Sequence, residues 1–249
     1  MQVNLNMGKV LWKIGSLISW VGGYLQESQR SLWFKTHYAD WQTRRFKVVE
    51  NELETHLSQF GKEQKGKSSL ELGAGHGEFS RLLKAKGFIC HVAEARPEHL
   101  EFMRNTLNLD GYHLFDGDHP EIPINDVDVV IHFGLLYHLT NPLEHLNWCL
   151  NNIKFSIMFL ETEVFNDDNP DLVFRMQEKG YDQAFNGIGG RPTSAGITKV
   201  IDANGLKHKR LDIQELDSDF HDYSWSEETL RVSWKPGLRR FWVIYGASE

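Results

Sequence analysis

The stretch Leu70-Glu71-Leu72-Gly73-Ala74-Gly75-His76-Gly77-Glu78-Phe79 sets three glycines at alternate positions directly after a short apolar run. That pattern describes a strand turning sharply into a helix. A side chain at Gly73, Gly75 or Gly77 would obstruct a positive φ, a close ligand or a tight helix-to-strand contact. The helix expected from about Glu78 to Lys86 aims unpaired N–H groups and the positive end of its dipole over the turn, which favours an anionic or strongly polar group there. The spacing G-x-G-x-G departs from the dinucleotide fingerprint G-x-G-x-x-G, because Glu78 stands where the third glycine belongs, and this counts against NAD. Glu71 lies two residues before the first glycine, at the strand end, where a carboxylate can accept from an ammonium group. The ligand suggested is an amino acid joined to a nucleoside.

Working outward, a second strand over Phe88 to Ala93 ends in Glu94, seventeen residues past Gly77. That is near the spacing at which an acid takes the ribose hydroxyls. The segments ELGAGHGEF, VAEARPEHL, DGDHPEIP and DVVIHFGLLYHL, in that order, resemble the S-adenosylmethionine-dependent methyltransferase superfamily with the Rossmann-like fold. The match covers roughly Ser68 to Glu163. The resemblance implies an α/β three-layer sandwich: a mostly parallel seven-stranded sheet with an antiparallel last strand, preceded by N-terminal helices that help close the cofactor site. It also implies S-adenosyl-L-methionine as cofactor. Its binding residues would be Glu71, Gly73, Ala74, Gly75 and Gly77 at the turn, Glu94 and Ala95 at the ribose, Asp118 and His119 near the adenine, and Phe133 and Gly134 at the end of the central strand. Asp118 fits the pattern G-D-x-x-x-x-P best; Asp116 is its competitor, and either can serve as a turn former. His76 can cover the cofactor.

The bulk numbers are those of a globular protein. At 249 residues the chain suits one domain with decoration, and 41% hydrophobic with 24% charged residues is ordinary. A formal net charge of -7 disfavours a sequence-independent grip on nucleic acid, which relies on clustered Lys and Arg. The two cysteines, Cys90 and Cys149, suit a reducing, cytoplasmic setting and a place in the core. None of the twelve histidines falls in an H-E-x-x-H pattern, so no metal is expected.

Residues 10–25, VLWKIGSLISWVGGYL, are apolar but broken by Lys13 and three glycines, too short and interrupted for a spanning helix and without a basic leader. Val10, Ile14, Leu17, Ile18 and Val21 share a helical face. A lid or homodimer helix is the preferred reading. An interfacial membrane helix is less favoured, because a single lysine meets anionic lipid poorly.

Residues 1–60 are expected to form a helical cap, with one helix over Ser31 to Phe60 and a polar linker at Gly61 to Lys67. A methyltransferase domain then occupies 61–249, with insertions at 165–192 and 217–239. Within it, Tyr112 to Phe115 reads as a strand and Asp128 to Phe133 as a buried central strand followed by a ligand-side loop, Gly134 to Leu139. Phe155 to Leu160 forms a fifth strand delivering Glu161, Thr162 and Glu163 to the same rim. The segment Phe165 to Arg191 reads as a polar, glycine-rich loop of the functional kind. Thr193 or Ser194 caps a helix to Ala203 that Gly205 ends, and the last strands run over Leu206 to Leu216 and Arg240 to Gly246. The aromatic stretch 217–239, with Tyr223 and Trp225, is either extra core or a stacking wall for substrate.

Methyl transfer needs positioning and exclusion of water more than an exotic catalytic group. A hydroxyl acceptor also needs its proton taken. His138, a few residues past the central strand, is the candidate general base, with Tyr137 beside it and Glu161 to orient it. Alternatively, His138 hydrogen-bonds backbone to hold the turn. Arg191 is the candidate grip on an acidic acceptor, with Tyr223 and Trp225 also placed at the substrate, while His132 is expected in the core. The expected function is methyl transfer to an oxygen of a small molecule. The segment GLLYHLTNPLEHL also resembles a tRNA uridine carboxymethyl transferase, against which stand the net charge and the lack of that family's long basic amino-terminal portion. A third reading is a non-catalytic scaffold that keeps the fold.

Overall fold

The computed structural model describes residues 38–56, 66–122, 124–178 and 183–246. Segment 10–25, with its expected lid, dimer or membrane-surface helix, lies outside them. The chain divides into two compact units, Met1–Lys47 and Val48–Glu249. The division falls inside a helix over residues 38–56 (α1) and not at the polar linker. In the first unit, Arg45 lies over the Trp41 ring at 4.1 Å and donates to Gln42 Oε1 at 2.7 Å. In the second unit, Val49 and Leu53 are buried and the His56 ring sits 5.7 Å from Tyr245. The later half of α1 thereby supplies core to the sheet domain, which is why the boundary precedes it.

The larger unit is built on strands β1 (Ser68–Leu72), β2 (Ile89–Glu94), β3 (Gly111–Leu114), β4 (Val129–Phe133) and β5 (Ile157–Glu163), with α2 (Glu78–Ala85), α3 (Pro97–Thr106) and α4 (Pro142–Asn152) between them. A separate ribbon, β6 (Val173–Gln177) with β7 (Ile188–Pro192), precedes α5 (Ser194–Ala203), β8 (Lys207–Leu211) and β9 (Arg239–Tyr245). The seven-stranded sheet has the order β3-β2-β1-β4-β5-β9-β8. β1 to β5 pair in parallel, and β9 enters antiparallel between β5 and β8. The order reverses between β1 and β4, which opens a crevice at their carboxyl ends. Every residue of β4 and β5 is buried, as strands covered on both faces require. No helix among the described residues is long and apolar enough to cross a membrane.

Two local expectations change. β5 runs on through Glu163, so Glu161, Thr162 and Glu163 are strand residues paired with Phe241, Arg240 and Arg239. The segment 165–192 is not an irregular loop, for it contains the β6–β7 ribbon. Its glycines mark close packing: a Cβ on Gly189 would lie 2.6 Å from the Tyr137 carbonyl, and one on Gly190 2.9 Å from the Leu139 carbonyl. β7 thus lies flat on the turn after β4, an approach that only glycine permits. Thr193 caps α5 as expected, its hydroxyl accepting from Gly196 N–H at 3.0 Å, and Gly205 follows with φ 68°.

Candidate active site

The glycine turn is pinned to the sheet where Gly73 and Ala74 both donate to the Ala93 carbonyl, at 2.9 and 3.2 Å. At Gly75, with φ 55°, a Cβ would meet nothing within 4 Å, so this backbone forms an open floor that a ligand can touch. At Gly77, with φ 73°, a Cβ would come within 2.8 Å of Leu107, so this glycine serves the packing of α2 on the end of α3. Glu71 departs from its expected role. Its carboxyl is buried beneath α2 and accepts from Ser80 N–H at 2.7 Å, so it caps the helix and does not offer itself to an ammonium group.

Burial pushes the Glu71 carboxyl up to about 7, only partly offset by the Ser80 hydrogen bonds. Below pH 4.5 this carboxyl is protonated in both folded and unfolded chains; between 4.5 and about 7 only the folded chain keeps the proton, so stability falls as pH rises. Glu71→Gln keeps an acceptor for Ser80 and carries no charge. Urea titrations should show it level with the parent at pH 4 and about 2 to 3 kcal/mol more stable at pH 8. Parallel pH curves for the two proteins would contradict the burial argument.

Glu94 closes the end of β2. One carboxylate oxygen accepts from Gly75 N–H at 2.9 Å and the other from Arg96 N–H at 2.9 Å, joining the glycine turn to the next loop. Beyond it opens a cleft of about 560 Å³, walled by Ala95, Pro97, Leu114, Asp116, Ile122 and Phe185, with His119 on its wall and paired to Asp116 at 3.1 Å. Asp116, and not the favoured Asp118, faces this space. The Asp118 carboxylate is taken by Thr140 N–H at 2.7 Å, the Thr140 hydroxyl at 3.1 Å and the Asn186 amide at 2.8 Å. It is a tie between loops. The Asp116 carboxyl stays below the usual range: burial would raise it, but the His119 and Asp118 N–H hydrogen bonds outweigh that.

At the end of β4, Phe133 meets Phe79 and Phe241 edge-on, and Gly134 N–H donates to the Glu161 carbonyl at 3.0 Å. The 3-10 turn Leu136–His138 follows. His138 Nδ1 lies 2.5 Å from a carboxylate oxygen of Glu178, the residue just after β6. The expected orienting acid was Glu161, but Glu161 is fully buried and accepts from the Tyr223 hydroxyl at 2.9 Å and Arg239 Nη1 at 2.7 Å. Glu178 also accepts from Ala184 N–H at 2.9 Å and pairs with Arg191. Burial alone would raise its carboxyl, but the His138 hydrogen bond and charge, then Arg191, bring it down to about 2. It is therefore an anion at any working pH.

Tyr137 accepts from Arg239 Nη2 at 2.9 Å. Burial raises its phenol against the pull of Arg239, so it keeps its proton. Arg191 is 5% exposed, and it donates to Glu163 at 3.2 Å and to the Tyr137 carbonyl at 3.3 Å. It is an internal strut with its charge already met by Glu163 and Glu178, not an open grip on an acceptor. Tyr223 and Trp225 resolve as core: Tyr223 is fully buried, and Trp225 donates from Nε1 to the Arg239 carbonyl at 3.0 Å with Arg240 3.5 Å over its ring.

Behind the site, His132 and His145 meet at 2.9 Å through their Nε2 atoms, with Cys149 Sγ 3.4 Å from His145. Burial lowers His132 to about 3 and His145 to about 4, so both imidazoles are neutral in this core, while it raises the Cys149 thiol.

Residues 41–209 match the family model described as a methyltransferase domain. A comparison with curated proteins gives no match. Among solved structures, the N-terminal domain of EvdMO1 with SAH bound is 15% identical, with 78% of this chain and 80% of that one covered and a TM-score of 0.56. Magnesium protoporphyrin IX methyltransferase from Synechocystis PCC 6803 with bound SAM is 12% identical over 82% and 80%, with a TM-score of 0.53. An S-adenosylmethionine-dependent methyltransferase from Mesorhizobium loti is 14% identical over 78% and 96%, with a TM-score of 0.52. With its glycine turn, its acid at the end of β2 and its strand order, this chain belongs to the methyltransferase-domain family and has the Rossmann-like fold of the S-adenosylmethionine-dependent enzymes.

Proposed function

We propose that the protein transfers a methyl group from S-adenosylmethionine to a hydroxyl oxygen of a small-molecule acceptor, with His138 taking the acceptor's proton. The observation that carries this reading is the His138–Glu178 pair at the carboxyl end of β4, beside the crevice where such sheets bind ligands. An ionised carboxylate at Nδ1 fixes the tautomer with its proton there and leaves Nε2 with the lone pair a base requires. Glu178 then stabilises the imidazolium formed when the proton arrives, the role of a buried acid behind a catalytic histidine.

The cofactor supplies the electrophilic methyl; the chain's own residues hold and orient. In this reading the backbone at Gly75 meets the amino-acid end, Glu94 takes the ribose diol and Asp116, in place of Asp118, accepts from the adenine amino group. Arg191 and Arg239, both near Tyr137, are spent on Glu163, Glu178 and Glu161, and the chain's net charge is -7. Those facts favour a neutral hydroxyl over a phosphate-bearing acceptor.

The test is incubation with methyl-labelled cofactor in two arms, a metabolite extract and bulk tRNA. A one-methyl mass gain on a hydroxyl-bearing metabolite, with tRNA unlabelled, is expected. Label in tRNA alone would replace this reading with the nucleic-acid one, and label in neither would favour a scaffold. For the ribose assignment, calorimetry should find cofactor binding about 1.5 to 3 kcal/mol weaker in Glu94→Ala, the range of hydrogen bonds to a charged group. Unchanged affinity there would reject it.

A further inference from the structure

Phe185 is 53% exposed and lines the cleft together with Ala95 and Asp116. An exposed aromatic face on the wall of a cleft is available to stack on a flat ligand. Arg96 braces this tip of the chain, donating to the Gln183 carbonyl at 2.7 Å with its guanidinium carbon 5.8 Å from the Phe185 ring. A carboxylate and an aromatic face on one cleft suit a planar base with an exocyclic amine.

The residues on either side of Phe185 lead away from the cleft. Asn186 donates to Asp118, which accepts from Thr140 just past the His138 turn. Ala184 donates its N–H at 2.9 Å to the same Glu178 oxygen that meets His138. Displacement of Phe185 therefore moves a hydrogen bond that holds Glu178. We propose that Phe185 stacks on the cofactor's adenine and that Glu178 is the positioning residue for His138, so that cofactor binding sets the orientation of that ring. The inference rests on the reading of His138 as the base. Glu178 meets the His138 ring and pairs with Arg191, and Tyr137, whose ring centroid is 4.0 Å from that of His138, accepts from Arg239 of β9.

The test uses the full chain, SAH as probe, calorimetry and 15N-histidine NMR. Phe185→Ala should weaken SAH binding about 10-fold, within the range for loss of one base-stacking ring, and Phe185→Trp should restore it. In the parent, SAH should shift the His138 Nδ1–H resonance as its hydrogen bond to Glu178 changes; in Phe185→Ala that response should vanish. Glu178→Gln, a neutral and weaker acceptor, should move the His138 Nδ1–H resonance upfield with or without SAH while changing SAH affinity less than about threefold, since coupling between the two ends is reciprocal and small. Full SAH affinity in Phe185→Ala, or a His138 spectrum indifferent to SAH in the parent, would overturn the proposal. Neither readout needs an acceptor. If His138→Ala retained full turnover while the coupling persisted, the base would be refuted and the link would stand.

Discussion

His138→Ala should lower kcat by about 100-fold or more, the range expected when a positioned acid–base group is removed, and should flatten the acid side of the pH–rate profile. A base must enter the reaction as the neutral ring, because only that form has a lone pair on Nε2. The Glu178 carboxyl, held down to about 2, is ionised and contributes no inflection of its own. The competing role for His138 is mechanical, as a clasp between the turn after β4 and the end of β6. A clasp predicts a different result: lower stability in the alanine variant, with the pH profile of the remaining activity unchanged. Observation of that profile would remove His138 from the chemistry.

The second large effect concerns stability. Arg239, 4% exposed, bonds Glu161 at 2.7 Å and the Tyr137 hydroxyl at 2.9 Å, while Glu161 has no exposure at all. Burial works against the charge on Arg239, and Glu161 more than compensates, holding it well above its ordinary value. Arg239→Met should therefore destabilise by about 3 to 5 kcal/mol in urea unfolding, because it strands a carboxylate in the core. Glu161→Leu together with Arg239→Met removes both charges and should recover most of that loss, since a buried pair can be exchanged for apolar side chains at little net cost. A single variant that loses under 1 kcal/mol, or a double variant worse than the single, would show that the pair is not the support it resembles.

The fold was legible because its signals are local. Gly73 to Gly77 mark a strand-to-helix turn, and the apolar run at Val129 to Phe133 needs cover on both faces wherever it stands. The antiparallel last strand came from the family resemblance and is present in β9. The glycine turn and the acid that ends β2 were legible for the same reason, whereas Asp116 and Asp118 are two residues apart and only three-dimensional partners separate them. Glu178 could not be found, because its bond to His138 spans 40 positions and its segment has the composition of a loop. Gly189 and Gly190 were the available clue: paired glycines on a ribbon indicate backbone pressed against something, but not what. Glu161, Arg191 and Tyr223 were misplaced by a single error. Polar residues near a rim look available, and nothing in a sequence shows that they have already spent their charges and hydroxyls on one another.

The position of β9 in the chain has a consequence for synthesis. It lies between β5 and β8, yet it follows both, and the residue that neutralises Glu161 stands 78 positions downstream. On the ribosome β1 to β5 emerge first, with one edge of β5 open and a carboxylate on that strand lacking its guanidinium. Only when β9 arrives do backbone ladder and charge pair complete together, so the final assembly is a late step that engages both at once.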